Sequence, residues 1–123
     1  MDREAVSRKV LGSAIEVHKV LGPGLLENSY RTCLLRQFEL DGLAAAFEVP
    51  IEVVYKDVQI PTAYRADLIV ENTVLVELKA VERLLPVHEA QILTYLKHTG
   101  LSLGLLLNFN TTRLALGIRR FVR

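Results

Sequence analysis

The chain predicts an α/β fold, an α+β arrangement in which a mixed sheet is flanked by helices in the order α-α-β-β-β-α-β-β. Three observations carry this. Two helical periodicities precede residue 41 and are split by Leu21-Gly22-Pro23-Gly24. Two runs rich in β-branched and aliphatic residues, Tyr64–Val70 and Val74–Ala80, flank the polar turn Glu71-Asn72-Thr73. A proline-opened helical segment then leads into the apolar run LSLGLLLNF, Leu101 to Phe109.

In chain order, Val6, Val10, Ala14, Val17 and Val20, with Leu11 and Ile15 alongside, predict an amphipathic helix from Asp2 to about Val20. A second helix follows from about Leu25 to Leu40, with Leu26, Tyr30, Cys33, Leu34 and Phe38 on one face and Asp41-Gly42 closing it. Phe47 to Tyr55 reads as a strand with Phe47, Val49, Ile51 and Val53 on one face, and Pro50 places it at a sheet edge. Lys56-Asp57 is a turn, Val58–Ile60 a short return, and Pro61-Thr62 a lead-in to the hairpin. Pro86 opens a third helix, Val87 to Thr99, which Gly100 ends. Leu101–Phe109 has the length of a buried strand, and Leu114–Val122 suits a strand or a short helix.

With 123 residues, half of them hydrophobic and 24% charged, a single domain (1–123) with one core is expected, and disorder is not. The N-terminus MDREAVSRKV is too charged for a signal peptide, and no apolar stretch approaches the ~20 residues of a membrane span. A cytoplasmic location is therefore expected. The one cysteine, Cys33, excludes an internal disulfide and argues against a thiolate-held metal site; its apolar helical setting predicts a buried thiol. After Glu89 the chain holds five basic residues and no acidic one. That asymmetry suits either a polyanionic substrate or an ordinary solvated tail.

Side chains alternate along a strand. The even positions of the hairpin (Ala66, Leu68, Val70, Val74, Val76, Leu78, Ala80) are apolar and should face a core, while Arg65, Asp67, Glu77 and Lys79 share the other face. A three-residue turn pairs Val70 with Val74 and so sets Asp67 opposite Glu77. Opposed like charges destabilise a sheet. They fit a bound divalent cation held by carboxylate oxygens, or a hairpin edge kept soluble by its charges. Elsewhere, Glu27 and Tyr30 lie one helical turn apart, and Gln91 and Tyr95 form a polar stripe opposite Ala90, Ile92, Leu93 and Leu96. His18, Lys19 and His98 read as surface or capping groups rather than as ligands.

These residues meet in a family pattern. Asp67, followed after a nine-residue spacer by Glu77-Leu78-Lys79, resembles the PD-(D/E)xK nuclease signature, with Ala66 where that signature has proline. Gln91-x-x-x-Tyr95 resembles the QxxxY motif of one subgroup, and Gly24-x-x-Glu27-x-x-Tyr30 resembles the hallmark of the small bacterial GxxExxY proteins. YRADLIV, VELKAV, HEAQILTYLK and GLLLNF look like that family's blocks in its order, so the resemblance runs from about Val17 to Phe121.

The resemblance implies a restriction-endonuclease-like core and a metal-dependent nuclease that hydrolyses phosphodiester bonds, most readily of DNA, with a Mg²⁺-bound water as nucleophile. Asp67, Glu77, Glu27 and the main-chain carbonyl of Leu78 would bind Mg²⁺ or Mn²⁺, because a phosphodiester repels anionic nucleophiles until its charge is neutralised. Lys79 would stabilise transition-state charge or orient the attacking water, and Gln91 and Tyr95 would position it. Arg65 and Tyr30 would contact substrate. The alternative is a nucleic-acid-binding module, or a subunit of a repair or defence complex, that turns over little. No long insertion remains for reading base edges, so specificity should be for ends, branches or single strands, or come from a protein partner or a homodimer.

Overall fold

The computed structural model describes residues 1–123. Helices α1 (Arg3–Leu21) and α2 (Glu27–Leu40) precede strands β1 (Ala45–Tyr55), β2 (Val58–Val70) and β3 (Val74–Lys79). Helix α3 (Pro86–Thr99), β4 (Leu103–Asn108), a 3-10 turn (Leu114–Gly117) and β5 (Ile118–Val122) follow. The predicted order is observed, and the final segment is both of the forms expected of it, a helical turn and then a strand. No helix is long and apolar enough to cross a membrane.

The strands form one sheet in the order β1-β2-β3-β4-β5, antiparallel throughout except for the parallel β3–β4 pair. A parallel pair needs a crossover, and α3 supplies it. That crossover covers one face of the sheet while α1 and α2 cover the other. Two cores result. Val6, Val10, Ala14, Tyr30, Leu34 and Phe38 of the helix pair pack on Leu68, Val70, Val76, Leu105 and Leu107. Ile92 and Leu96 of α3 pack on Ile51, Ala66, Leu75 and Leu106. Both faces of β4 are covered, so every one of its residues is buried, which is why its sequence is apolar from Leu103 to Leu107. The expectation of one core is thus corrected to two, one on each side of the sheet.

Local signals set the ends of the elements. The Asp2 carboxylate accepts the Ala5 N–H and caps α1, and Gly100 closes α3 in the left-handed conformation. Glu71 and Asn72 adopt φ near +52° in the three-residue turn that pairs Val70 with Val74.

Four local expectations are corrected. First, Val58–Ile60 is no separate return: β2 runs unbroken through Pro61. Ile51 pairs with Tyr64 and Val53 with Ile60, so Pro61-Thr62-Ala63 bulge opposite Glu52, where proline's missing N–H breaks no ladder bond. Second, Ala66 faces the α3-side core although Leu68 and Val70 face the helix pair. On the paired strand, Phe47 is exposed and opposite Leu68, while Val49 and Ile51 face α3. The β1–β2 ribbon therefore rolls over at Glu48 and Asp67, and Glu48 sits there at φ 49°. Third, Cys33 is exposed and the buried stripe of α2 is Tyr30, Leu34 and Phe38. Fourth, His18 is buried, and its Nε2 lies 3.1 Å from the Phe109 carbonyl and 2.9 Å from that of Thr111.

Two glycines, Gly104 in β4 and Gly117 at the end of the 3-10 turn, mark close approaches. A Cβ on Gly104 would meet the side chain of Ile92 at 3.1 Å, where α3 crosses the sheet. A Cβ on Gly117 would collide with the backbone carbonyl of Asn108. Side-chain tips yield and backbone does not, so Gly117→Ala should destabilise by roughly 1–3 kcal/mol and Gly104→Ala by less. Urea unfolding of the two variants checks the ranking.

Candidate functional site

The β2–β3 ladder runs Val70↔Val74, Ile69↔Leu75, Leu68↔Val76 and then stops. Beyond it, β3 stays paired with β4 to Lys79 while the ribbon containing β2 rolls away. Side chains take over the backbone bonds at that divergence. The Asp67 N–H donates to Glu77 Oε1 at 3.1 Å, and the Leu78 N–H donates to Asp67 Oδ2 at 2.9 Å. Asp67 and Glu77 thus face each other across the opening with one oxygen of each held by the opposite strand, and the two carboxyl groups also hydrogen-bond to each other. Glu77 is buried, and desolvation first and the Asp67 charge second push its carboxyl up to about 9.

Glu27 opens α2 beside this pair. Desolvation and the Asp67 charge raise its carboxyl, while Lys79 and Arg31 partly offset them. Arg31 also bridges to Glu48 at 2.9 Å, tying α2 to the turning point of the ribbon. Lys79 is half-buried, opposite Asn108 in the parallel ladder, and its carbonyl accepts the Phe109 N–H at 2.9 Å. From the other side, Tyr95 of α3 stacks on Tyr64 of β2 with ring centroids 3.8 Å apart, and the Tyr64 hydroxyl donates to the Tyr95 carbonyl. Burial and the charges of Glu77 and Asp67 raise the Tyr95 phenol, and burial, Tyr95 and Glu77 raise that of Tyr64.

The structure therefore brings Glu27, Asp67, Glu77, Lys79 and Tyr95 into one electrostatic cluster. Gln91, one turn before Tyr95, is half-buried along the same side of α3. The stripe they form flanks the buried Ile92 and Leu96 instead of opposing them; Ala90 and Leu93 point outward. Arg65 is exposed opposite Pro50 and forms no ion pair. Tyr30 is corrected: it is fully buried and cannot touch substrate. Its hydroxyl donates to the Gly22 carbonyl at 2.6 Å and accepts the Leu25 N–H, while its ring stacks on Phe109. It shapes the loop that delivers Glu27. His98 sits in a separate groove beside Pro50, Asn72 and Thr99.

Sequence reasoning missed three contributors. Tyr64 gave a signal only as an aromatic residue next to the charged strand face. Asn108 is buried and mimics a strand, donating to the Val81 carbonyl at 2.9 Å and accepting the Val81 and Asn110 N–H groups. That holds the chain leaving Lys79, and a polar residue ending an apolar run was its only mark. Arg31 reads in sequence as an ordinary surface helix position.

The donor set suits a hard divalent cation: two carboxyl groups meet at the strand divergence, with Glu27 alongside. The three acids do not stand as a closed chelating group. A cation there would offset both the desolvation and the Asp67 repulsion that raise the Glu77 carboxyl. Without one, the sign is definite. The unfolded chain has Glu77 near its ordinary value and the folded chain well above it, so folding retains a proton between the two. Metal-free stability should therefore be greatest below about pH 4.5 as far as Glu77 is concerned, and fall as pH rises toward about 9. Adding Mg²⁺ should recover Tm, most at the upper end of that window, with proton release detectable by calorimetry in two buffers.

A sequence model of the PD-(D/E)XK nuclease superfamily matches residues 4–121. No curated protein and no solved structure matches significantly.

Proposed function

The chain belongs to the PD-(D/E)XK nuclease superfamily, and from that premise we propose that it is a divalent-metal-dependent nuclease that hydrolyses phosphodiester bonds of DNA. The observation that carries this reading is the pair of opposed carboxylates, Asp67 and Glu77, at the end of the β2–β3 ladder with Lys79 one pleat beyond. A site for structural ion pairing would place each acid against a cation; here the acids face each other.

Asp67 and Glu77, with Glu27 and the Leu78 carbonyl, would hold Mg²⁺ or Mn²⁺, which would supply charge neutralisation at the scissile phosphate and a more acidic water. Lys79, flanked by carboxylates, stabilises the charge that gathers on the phosphoryl oxygens. Tyr95, locked by Tyr64, and Gln91 fix the position of the acid pair from the α3 side. Arg65, exposed and unpaired, contacts a flanking phosphate. The compact restriction-endonuclease-like core leaves little for base reading, so substrate shape, a protein partner or a second copy supplies specificity. The outer half of the β1–β2 hairpin, with Val54, Tyr55 and Val58 more than half exposed, is a surface open to such a contact.

Labelled duplex, single-stranded and branched DNA incubated with Mg²⁺ or Mn²⁺ tests the reading. Asp67→Ala and Lys79→Ala should each lower cleavage by roughly 10²–10³-fold or more while leaving the fold intact. Binding of DNA without cleavage of any of these substrates would instead support a binding subunit that turns over little.

Tyr64→Phe removes only the hydroxyl bonded to the Tyr95 carbonyl. It should reduce kcat by a few-fold with KM unchanged, whereas Tyr64→Ala, which also removes the stack, should reduce kcat by about tenfold or more. Steady-state kinetics on the preferred substrate distinguishes the two.

A further inference from the structure

A second site lies behind the loop that carries Glu27. The end of α1 and the segment after β4 enclose a cavity of about 390 Å³, lined by Ile15, His18, Lys19, Gly22 and by Thr112, Arg113, Leu114 and Ala115. No acidic residue lines it. Lys19 and Arg113 contribute two positive charges, and neither forms an ion pair within the protein. His18 forms the floor. Its Nε2 faces two carbonyl oxygens, those of Phe109 and Thr111, so Nε2 carries the hydrogen and donates to both. The His18 hydrogen bonds within the protein are made by Nε2, and His18 lines the cavity. The carbonyl of His18 is already occupied by the Gly22 N–H, which blunts the negative end of α1 at this spot.

One residue joins this cavity to the acid cluster. The Phe109 N–H donates to the Lys79 carbonyl, the Phe109 carbonyl accepts from His18, and the Phe109 ring stacks on Tyr30 with centroids 4.6 Å apart. Tyr30 in turn holds Gly22, which lines the cavity, five residues before Glu27. The two sites therefore stand on a common frame at one end of the sheet.

We propose that this cavity is an anion site that takes a phosphate of the substrate strand flanking the scissile one. Lys19 and Arg113 neutralise the phosphate, the Thr112 hydroxyl donates to it, and Ile15, Leu114 and Ala115 lie against the sugar. The inference rests on the nuclease reading for its substrate, although not for the existence of an anion site. Cations lining a concave site attract phosphate by charge alone and confer a salt dependence on binding. An unpaired Lys–Arg set around an acid-free cavity is the charge pattern opposite to that of the Asp67–Glu77 cluster, and a nucleic-acid strand crossing both would meet metal-dependent chemistry at one and an anchor at the other.

The test uses the full chain without metal, titrated with a short single-stranded oligonucleotide with or without a 5′-phosphate, while the ring signals of His18 are followed by NMR. The His18 signals should shift as the oligonucleotide binds. A shift with both oligonucleotides assigns the site to an internal phosphate, and a shift with the 5′-phosphorylated form alone assigns it to a strand end. Lys19→Gln combined with Arg113→Gln, both surface substitutions, should abolish that shift, weaken binding roughly tenfold and reduce the slope of log K against log salt by about 1 to 2. Oligonucleotide binding that leaves His18 unmoved, or a double variant with unchanged affinity and salt slope, overturns the proposal. Failure of the nuclease reading looks different: the wild-type chain would cut no DNA with Mg²⁺ or Mn²⁺, yet His18 would still respond. Conversely, a wild type that cleaves and a double variant with the same KM would remove the anion site alone.

Discussion

The constraint on which the rest depends is a pair of carboxylates, Glu77 buried and Asp67 partly so, facing each other where a β-ladder ends. Desolvation and mutual repulsion both oppose two charges in that position, as the raised Glu77 carboxyl records. The fold accommodates them by parting the strands. β3 remains with β4, the ribbon of β1 and β2 rolls over at Glu48 and Asp67, and each carboxylate takes a backbone N–H that the ladder would otherwise have used. A cation seated between them would relieve the repulsion, so one arrangement accounts for the break in pairing, the raised Glu77 carboxyl and the expected gain on metal binding.

Holding the parted strands requires support from both faces. On the helix-pair side, Phe109 ties Lys79, His18 and Tyr30 together through its backbone and ring. On the α3 side, the Tyr64–Tyr95 stack presses the outgoing ribbon against the crossover helix. Asn108 substitutes its amide for a missing strand and fixes the chain beyond Lys79. Gly117 lets β5 approach that same residue, where a methyl group would strike the Asn108 carbonyl. Polar groups in these positions are fully satisfied, which makes them stiff, and stiffness is what keeps opposed charges from drifting apart.

The same frame explains why Tyr30 reads as a site residue in sequence and acts as a positioning one in space. Its spacing from Glu27 is that of two neighbours on a helix face, and such neighbours share an environment only if that face is uniform. At the start of α2 it is not. Glu27 stands at the open end of the sheet, while one turn later the helix is pressed on the core, so the first side chain meets solvent and the acid pair and the second is sealed beneath Gly22.

By itself the sequence determined the element order, the three-residue turn and therefore the register that sets Asp67 against Glu77, because these follow from local periodicity and turn chemistry. It also determined the family, through spacings that span most of the chain. Only the tertiary structure decided which face each residue serves. The rollover at Glu48 and Asp67 moves Ala66 and Phe47 off the faces that alternation assigns them, and it depends on contacts between strands that no local window contains. The continuity of β2 through Pro61 depends likewise on a bulge that its partner strand accommodates. Burial of His18 depends on where the segment after β4 lies against α1, a placement some ninety residues distant in the chain, and exposure of Cys33 on which face of α2 packs on the core. Local sequence sets dihedral preferences and periods. Long-range packing sets which of two equivalent faces is covered, and at this site that choice separates the residues that reach the acid cluster from those that hold it in place.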